Sequence, residues 1–186
     1  LDADVDPSHL IVTRAASDRD ETCDLAPVLT DRGAVSLRAQ PFVWLVAEGS
    51  AGRVPVGRRW VHPRAESVLA ELLETEAEPP ASVIPPDAHL EPNVVVFPNV
   101  VLGRGVIIGA NSVIGRPGFR YVGERGSAEG GTRLGVRRMP HRAGVVLGDG
   151  VEVGALCSID AGILAPTMLG AGTKLDAQVH VGHGVR

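Results

Sequence analysis

The stretch VVVFPNVVLGRGVIIGANSVIG, residues 94–115, decides the fold, because an aliphatic residue recurs in it every six positions. The same spacing continues before and after the stretch, and the complete set of these aliphatic residues is Ile84, Leu90, Val96, Leu102, Ile108, Ile114, Leu147, Val153, Ile159, Leu169, Leu175 and Val181. A small or β-branched residue recurs four positions later, as Ser112 does after Ile108. Neither a helical nor a strand period accounts for a spacing of six.

A fixed six-residue period predicts a β-solenoid, in which each hexad forms a short strand and a turn. The aliphatic and the small residues point inward, and glycine relieves crowding where the backbone turns or approaches another chain. The pattern resembles the hexapeptide-repeat acyltransferases, which implies a mainly β fold, the left-handed parallel β-helix, with three hexads per coil. Twelve hexads then correspond to about four coils. An ordinary β-sandwich is the alternative, but irregular sheets do not hold a fixed register of this kind.

Composition limits the class of protein. The chain has 186 residues, which is enough for one or two small domains, and only 3% of them are aromatic against 44% hydrophobic. A net charge of −4 with no basic face disfavours nucleic acid as a partner. Because no apolar run reaches the length of a membrane span and no signal peptide is visible, we expect a cytoplasmic protein without a membrane span.

The period divides the chain into two predicted domains. Residues 1–82 lack it and predict a small α/β domain, possibly nucleotide- or uridine-binding, that ends in an amphipathic helix at about 63–75. Residues 83–186 predict the β-helix, with a Gly- and Arg-rich loop at about 119–144 expelled from it. The chain stops at Arg186 inside a hexad without a cap, so we expect the β-helix to be incomplete there.

Two histidines near the end of the chain are candidates for chemistry. In the hexad register His180 and His183 flank the inward Val181 and should face outward, where an imidazole can accept a proton near neutral pH. Asp176 or Asp160 could orient one of them, although both histidines could equally be ordinary turn residues. Their His-x-x-His spacing does not match a structural zinc set and no cysteine pair supports it, so no metal is predicted.

Four segments resemble one family more specifically. Residues 113–121, VIGRPGFRY, resemble V-(V/I)-G-x-D-G-F-G-Y, and residues 139–149 resemble I-P-Q…V-x-I-G-D. Residues 151–162 resemble V-E-I-G-A…T-I-D-R-G, and residues 174–183 resemble K-I-D-N-x-(V/C)-Q-I-(A/G)-H-N. In order and spacing these segments resemble the UDP-3-O-acylglucosamine N-acyltransferases of the lipid A pathway, clearly over about 83–186.

The resemblance implies a homotrimer with active sites in clefts between adjacent β-helices. A 3-hydroxyacyl chain would pass from acyl carrier protein to the 2-amine of a UDP-linked amino sugar, with no covalently bound cofactor. His183 matches the general base and Asp176 an acidic residue beside the sugar. The aromatic residues match a loop near the nucleotide-sugar and acyl site. The predicted site is therefore catalytic His183 with substrate-binding Asp176, His180, Phe119, Tyr121 and Asp160.

Departures from the family segments leave alternatives open. The sequence has Arg120, Ala161, Ala177 and Gly184 where the family has Gly, Arg, Asn and Asn. A CoA-dependent acyltransferase acting on another nucleotide amino sugar, or a non-catalytic hexapeptide-repeat scaffold, therefore remain candidates. Basic patches at Arg58-Arg59 and at 133–142 could meet a phosphate or an acidic carrier protein. The enzyme hypotheses predict His183 in a groove between subunits, whereas the scaffold hypothesis predicts no cleft there.

Overall fold

The computed structural model describes residues 25–28, 43–53, 59–75, 78–125 and 134–186. The chain forms two compact units. Unit 1 combines Leu1–Glu76 with Arg120–Met139, and unit 2 combines Ala77–Phe119 with Pro140–Arg186. Most of the segment that breaks the six-residue period thus belongs to unit 1, where the sequence predicts only a loop. The boundary near residue 82 stays a prediction, since much of 1–82 lies outside the described residues.

Unit 1 contains a three-stranded parallel sheet in the order β1-β2-β3. The strands are β1 (Leu25–Val28), β2 (Val43–Ala47) and β3 (Arg59–His62), and a 3-10 helix, Glu48–Arg53, follows β2. Helix α1, Ala65–Thr75, occupies the place where the sequence predicts a helix over about 63–75. Its apolar face is buried, as are the middle residues of β2, and the buried side chains are Leu45, Val46, Ala65, Leu69, Ala70 and Leu73.

An antiparallel hairpin completes the described part of unit 1. It consists of β9 (Tyr121–Arg125) and β10 (Leu134–Arg138). Two arginines tie this region to α1: Arg120 Nη2 lies 2.7 Å from Glu66 Oε1, and Arg137 Nη1 lies 2.8 Å from Glu74 Oε2. Because these guanidinium groups already face carboxylates, less positive charge is left for a phosphate than the sequence alone indicates.

Unit 2 is built from short strands, each of which occupies part of one hexad. In chain order they are β4 (His89–Leu90), β5 (Val95–Val96), β6 (Val100–Leu102), β7 (Ile107–Ile108), β8 (Val113–Pro117), β11 (Val145–Leu147), β12 (Glu152–Val153), β13 (Ser158–Ala161), β14 (Thr167–Leu169), β15 (Lys174–Leu175) and β16 (His180–Val181).

These strands form three parallel sheets, which the chain visits in rotation. Sheet 1 has the order β14-β11-β6, sheet 2 the order β15-β12-β7-β4, and sheet 3 the order β16-β13-β8-β5. Neighbouring strands in each sheet come from successive coils, and every pairing among them is parallel. This is the predicted left-handed parallel β-helix, with four strands stacked in sheets 2 and 3.

The periodic aliphatic residues form the core of unit 2, as the sequence predicts. Ile108, Ile114 and Ile159 are fully buried, and the small inward positions Ser112 and Cys157 are buried beside them. Complete burial of one such side chain contributes on the order of 1.5–3 kcal/mol to the free energy of unfolding. The stacked aliphatic side chains are therefore the main source of stability of unit 2. Burial weakens toward the first coil, where Ile84 is 44% exposed because only one coil of unit 2 stacks on that turn.

Two different backbone requirements explain the turn residues. Gly103 and Gly148 follow inward leucines, and a Cβ on either would lie 2.5–2.6 Å from backbone atoms of the next coil. A second position, three residues after the inward aliphatic residue, has a positive φ in nine of the twelve hexads. Asn and Gly occupy most of these positions, as expected for the left-handed region, but one is Leu156 with a φ of 61°.

Both interruptions of the period fall in one corner of the β-helix. We call the turn that leads from sheet 3 to sheet 1 the 3–1 corner; within unit 2 it comprises residues 97–99, 118–119, 140–144, 162–166 and 182–184. Stacked residues lie 18 positions apart without an interruption, as Asn93 and Asn111 do. The separation rises to 45 across the first interruption and to 22 across the second. The inward aliphatic residues therefore stay stacked across both interruptions, and the register shifts only in sheet 3, between Ile159 and Asp160, where β13 pairs with β8.

Candidate active site

Two histidines and a glycine meet at the 3–1 corner. The rings of His141 and His183 are in edge contact, with centroids 5.0 Å apart and an interplanar angle of 70°. A Cβ built on Gly118 would lie 2.6 Å from His141 Nε2 and 3.1 Å from His183 Cδ2. The Gly118 backbone thus lies against both imidazoles, and any side chain at this position would displace one of them.

The hexad register positions His183. It follows the buried Val181 by two residues, so it lies at the turn after β16 and not at an inward position of the hexad. Gly184 then takes a φ of 74°, and its N–H donates a hydrogen bond of 2.9 Å to Thr167 Oγ1 in the preceding coil. His183 is half-buried at this fixed corner. An imidazole in such a position can accept a proton from a bound nucleophile.

His141 is placed by the chain segment that enters β11. The Ala143 N–H donates to Gly162 O at 3.0 Å, and Asn99 Nδ2 donates to Arg142 O at 2.8 Å. These bonds connect the segment to the coils below and above it. His141 is therefore held by backbone anchors on its C-terminal side, although it lies in the interruption of the six-residue period.

Asp160 forms an ion pair with Arg116 and lies beside the His180 ring. Its side chain is only 3% exposed; Oδ1 lies 3.1 Å from Arg116 Nε and Oδ2 lies 3.5 Å from His180 Nε2. Arg116 Nε also donates a 2.9 Å hydrogen bond to Ser158 Oγ. The three side chains come from β8, β13 and β16 of sheet 3, so the stacking of coils brings them together. Asp160 can hold the His180 imidazole in one orientation.

Asp176 lies at a different corner. It is exposed at the turn between β15 and β16, and its Oδ1 accepts a 2.7 Å hydrogen bond from the Ala177 N–H. Strand β16 then separates Asp176 from His183, which follows that strand. Within one chain these two predicted site residues therefore lie at opposite ends of β16.

The two predicted aromatic residues belong to different units. Phe119 ends the first segment of unit 2 and is 80% exposed, directly after Gly118. Tyr121 is the first residue of β9 in unit 1 and is 44% exposed. Phe119 is therefore next to the histidine pair along the chain, and its exposed ring is available for an apolar ligand group.

Sequence reasoning missed three residues of this region. The period places β8 beside β13, but its regular register would pair Asp160 with Gly115, and only the shift after Ile159 brings Arg116 beside Asp160. His141 and Gly118 lie within the interruption, where no period indicates which residues face each other. Their contact with His183 depends on the path of the loop, which no local pattern in the sequence encodes.

The described residues contain no cluster of three or more His, Cys, Asp or Glu side chains arranged to hold a metal ion. In the same part of the chain, no helix combines the length and the apolar character needed to cross a bilayer. The candidate site contains the His141 and His183 imidazoles and the exposed ring of Phe119, a set of groups that suits proton transfer between bound organic substrates.

Comparison with known families identifies the repeat. Residues 81–116 match the family described as bacterial transferase hexapeptide (six repeats). The matched residues cover the first two coils of unit 2, before the long interruption. The chain therefore contains a hexapeptide-repeat domain, which agrees with the stacked strands and their register.

Curated relatives give a more specific similarity. The UDP-3-O-acylglucosamine N-acyltransferase of Prochlorococcus marinus is 46% identical over 55 residues, which is 30% of this chain and 16% of that protein. The enzymes of the same name from Parasynechococcus marenigrum and Pseudomonas syringae are 48% identical over 64 residues and 39% over 72 residues. These matches cover 34% and 39% of this chain, but only 18% of each relative. The chain thus matches less than a fifth of the length of these three relatives.

Proposed function

We propose that the protein is an N-acyltransferase that moves a 3-hydroxyacyl chain to the 2-amine of UDP-3-O-acylglucosamine, with His183 as general base. One observation carries the proposal: His183 lies at the interrupted corner of a hexapeptide-repeat β-helix, in contact with a second imidazole. The similarity to relatives named for this reaction supports the same choice of substrate. The cytoplasmic location predicted from the sequence belongs to this proposal.

The chemistry needs one proton acceptor at the amine. The amine nitrogen attacks the thioester carbonyl of the donor and His183 takes its N–H proton, so that a neutral nitrogen is acylated. The tetrahedral intermediate then collapses, the carbon–sulfur bond breaks, and the donor leaves as a thiol once its sulfur is protonated. Backbone N–H groups can stabilise the oxyanion of the intermediate. No bound cofactor is required, because the donor arrives already activated as a thioester.

A homotrimer forms part of the proposal, and the outer surface of sheet 1 supports it. The outward residues of its stacked strands make an apolar column, defined here as Val83, Val101, Val146 and Met168. Three of them are well exposed, Val83 at 58%, Val101 at 39% and Met168 at 41%. A continuous apolar surface of this kind suits packing against another chain.

Packing of copies against sheet 1 would place the adjoining 3–1 corner, with His183, at a subunit boundary. It would also allow Asp176 to act in the same reaction. Asp176 and His183 lie at opposite ends of β16, so a site that uses both is best built from two neighbouring copies. In that arrangement Asp176 of one copy orients the amino sugar toward His183 of the next. The exposed His180 contacts the substrate from sheet 3, and Asp160, whose side chain is buried, takes part by orienting the His180 ring.

The donor in the proposal is acyl carrier protein. Its phosphopantetheine arm would carry the thioester into the cleft, and Phe119, whose ring is exposed, would contact the acyl chain or the nucleotide sugar. A substrate contact for Tyr121 stays a prediction from the sequence. Acyl-CoA has the same thioester chemistry, so the assay must separate the two donors.

The test is acyl transfer by the full chain from 3-hydroxyacyl carrier protein to UDP-3-O-acylglucosamine. His183→Ala should lower kcat/KM by about 10²–10⁴-fold, the usual contribution of a general base. His89→Ala is the matched control, because His89 is an exposed histidine on sheet 2, away from the 3–1 corner. It should leave the rate unchanged.

The other outcomes decide between the alternatives. Wild-type activity that persists in His183→Ala would remove His183 from the role of base. Transfer from 3-hydroxyacyl-CoA but not from the carrier protein would support the CoA-dependent alternative. Absence of transfer with either donor, and with other UDP-amino sugars as acceptors, would contradict the enzyme proposal and favour a scaffold.

A further inference from the structure

We infer that His141 is a positioning residue that fixes the imidazole plane of His183. The inference rests on the proposed function, because it assigns a role to a residue beside the proposed base. His141 is not one of the residues that the sequence pattern selects. Its ring is nevertheless in edge contact with the ring of the proposed base, His183.

The geometry restricts rotation of His183 on one side. An edge contact with centroids 5.0 Å apart is within the preferred range for aromatic rings, and it favours one relative orientation of their planes. The Gly118 backbone lies against the same pair, since a Cβ on Gly118 would be within 3.1 Å of both rings. His183 therefore has a ring on one side and main chain beside it.

The position of His141 is itself fixed. The Nε2 atom of His141 is shielded from solvent, next to Gly118. The residues that follow His141 are hydrogen-bonded to neighbouring coils through Arg142 O, which accepts from Asn99 Nδ2, and through the Ala143 N–H. Gly118 lies against the His141 ring, and these hydrogen bonds hold the backbone that follows it. A ring held in this way can fix the orientation of the His183 ring. A freely rotating surface histidine could not do so.

The expected consequence is catalytic and not structural. Displacement of a general base by about 1 Å can reduce kcat by about 10²-fold, because its lone pair no longer points at the proton to be removed. Substrate binding uses other groups and should change little. Removal of the His141 ring should therefore affect kcat more strongly than KM.

The first experiment measures kcat and KM of the full chain for the UDP-amino sugar. His141→Ala should lower kcat by about 10–100-fold at nearly constant KM, and Gly118→Ala should do the same by displacing a ring. His141→Gln keeps a planar polar group of similar reach and should recover most of the loss. Gly123→Ala is the control: it adds the same methyl group in strand β9, where nothing lies within 4 Å of the Cβ position.

A second experiment does not depend on activity. Diethyl pyrocarbonate modifies accessible imidazoles, and peptide mass spectrometry reports the rate at His183 separately from that at exposed His180. In His141→Ala, His183 should react several-fold faster than in the wild type, while His180 keeps its rate. His141→Gln should give an intermediate rate, and thermal unfolding would show that each variant is folded.

These two experiments separate the two proposals. A wild type without acyl transfer would contradict the proposed function, and the modification rates would still decide the role of His141. Equal His183 rates in the wild type and His141→Ala would overturn the inference, as would an unchanged kcat in His141→Ala of an active enzyme. A kcat loss that Gln does not recover would also overturn it, because His141 would then act through its own proton.

Discussion

Leu156 has a backbone conformation that residues with a large side chain rarely adopt. Its φ is 61°, while its side chain is 55% exposed and so contributes little to the core. The left-handed conformation costs a residue with a Cβ about 1–2 kcal/mol, whereas glycine adopts it freely. The equivalent turn position of the preceding coil is Asn111, a residue type that tolerates this conformation better.

Leu156→Gly should therefore raise the free energy of unfolding by about 1 kcal/mol. The measurement is urea denaturation at fixed protein concentration. Ala155→Gly is the control: Ala155 is the neighbouring residue and does not have a positive φ, so added chain entropy should lower stability there. A lower stability of Leu156→Gly would show instead that the exposed leucine side chain makes a stabilising contact.

The sequence predicts individual residues well where the period is unbroken. Inward positions such as Ile108 and Cys157 follow directly from the period, because one strand and one turn per hexad leave no freedom of register. The conformation of Leu156 is not predictable in this way, since residue type alone would exclude leucine from a left-handed turn. The partner of Asp160 was also left open, because a shift in register between Ile159 and Asp160 changes which side chain it faces.

At the scale of the element, the coils can stack only if the glycines after the inward leucines remain without a side chain. A Cβ on Gly148 would lie 2.6 Å from the Ala171 nitrogen of the next coil. Gly123 in strand β9 offers a comparison, because nothing lies within 4 Å of its Cβ position.

Gly148→Ala should thus lower the free energy of unfolding by about 1–3 kcal/mol, because the methyl group forces the two coils apart. Gly123→Ala is a control with the same chemical change and should alter stability by less than about 0.5 kcal/mol. Thermal unfolding followed by circular dichroism measures both. Equal effects in the two variants would contradict the explanation by stacking.

The elements outside the period show where prediction stops. Helix α1 is predictable from its apolar face, since Leu69 and Leu73 repeat with helical spacing. The hairpin β9–β10 was predicted only as a loop. Its ion pairs with α1, such as Arg137 with Glu74, join residues that are 63 positions apart. Contacts of this separation leave no signature in the local order of residues.

At the scale of the whole molecule, the apolar column on sheet 1 is the surface on which the proposed trimer depends. Met168→Asp should shift the protein from trimer toward monomer, because a carboxylate in the centre of an apolar contact loses its hydration without a partner. Sedimentation equilibrium gives the mass directly. Acyl transfer should fall in parallel if the site combines two copies.

Glu152→Gln provides the control for that experiment. Glu152 is the outward residue of β12 on sheet 2, where it forms an exposed ion pair with Lys174 Nζ at 3.0 Å. Its loss should leave the mass unchanged, since exposed pairs contribute at most about 1 kcal/mol. A monomeric wild type, or a trimer that Met168→Asp does not weaken, would contradict the proposed assembly.

Both interruptions of the period fall in the 3–1 corner, and this has an evolutionary consequence. Added length at a loop costs little conformational free energy, roughly 0.6 kcal/mol for each doubling. Because the inward aliphatic residues stay stacked across both interruptions, a gene can gain or lose codons there without disturbing the buried core. The same change alters the groups that surround His183. Insertions and deletions at the 3–1 corner can therefore change substrate preference during evolution without lowering the stability of the β-helix.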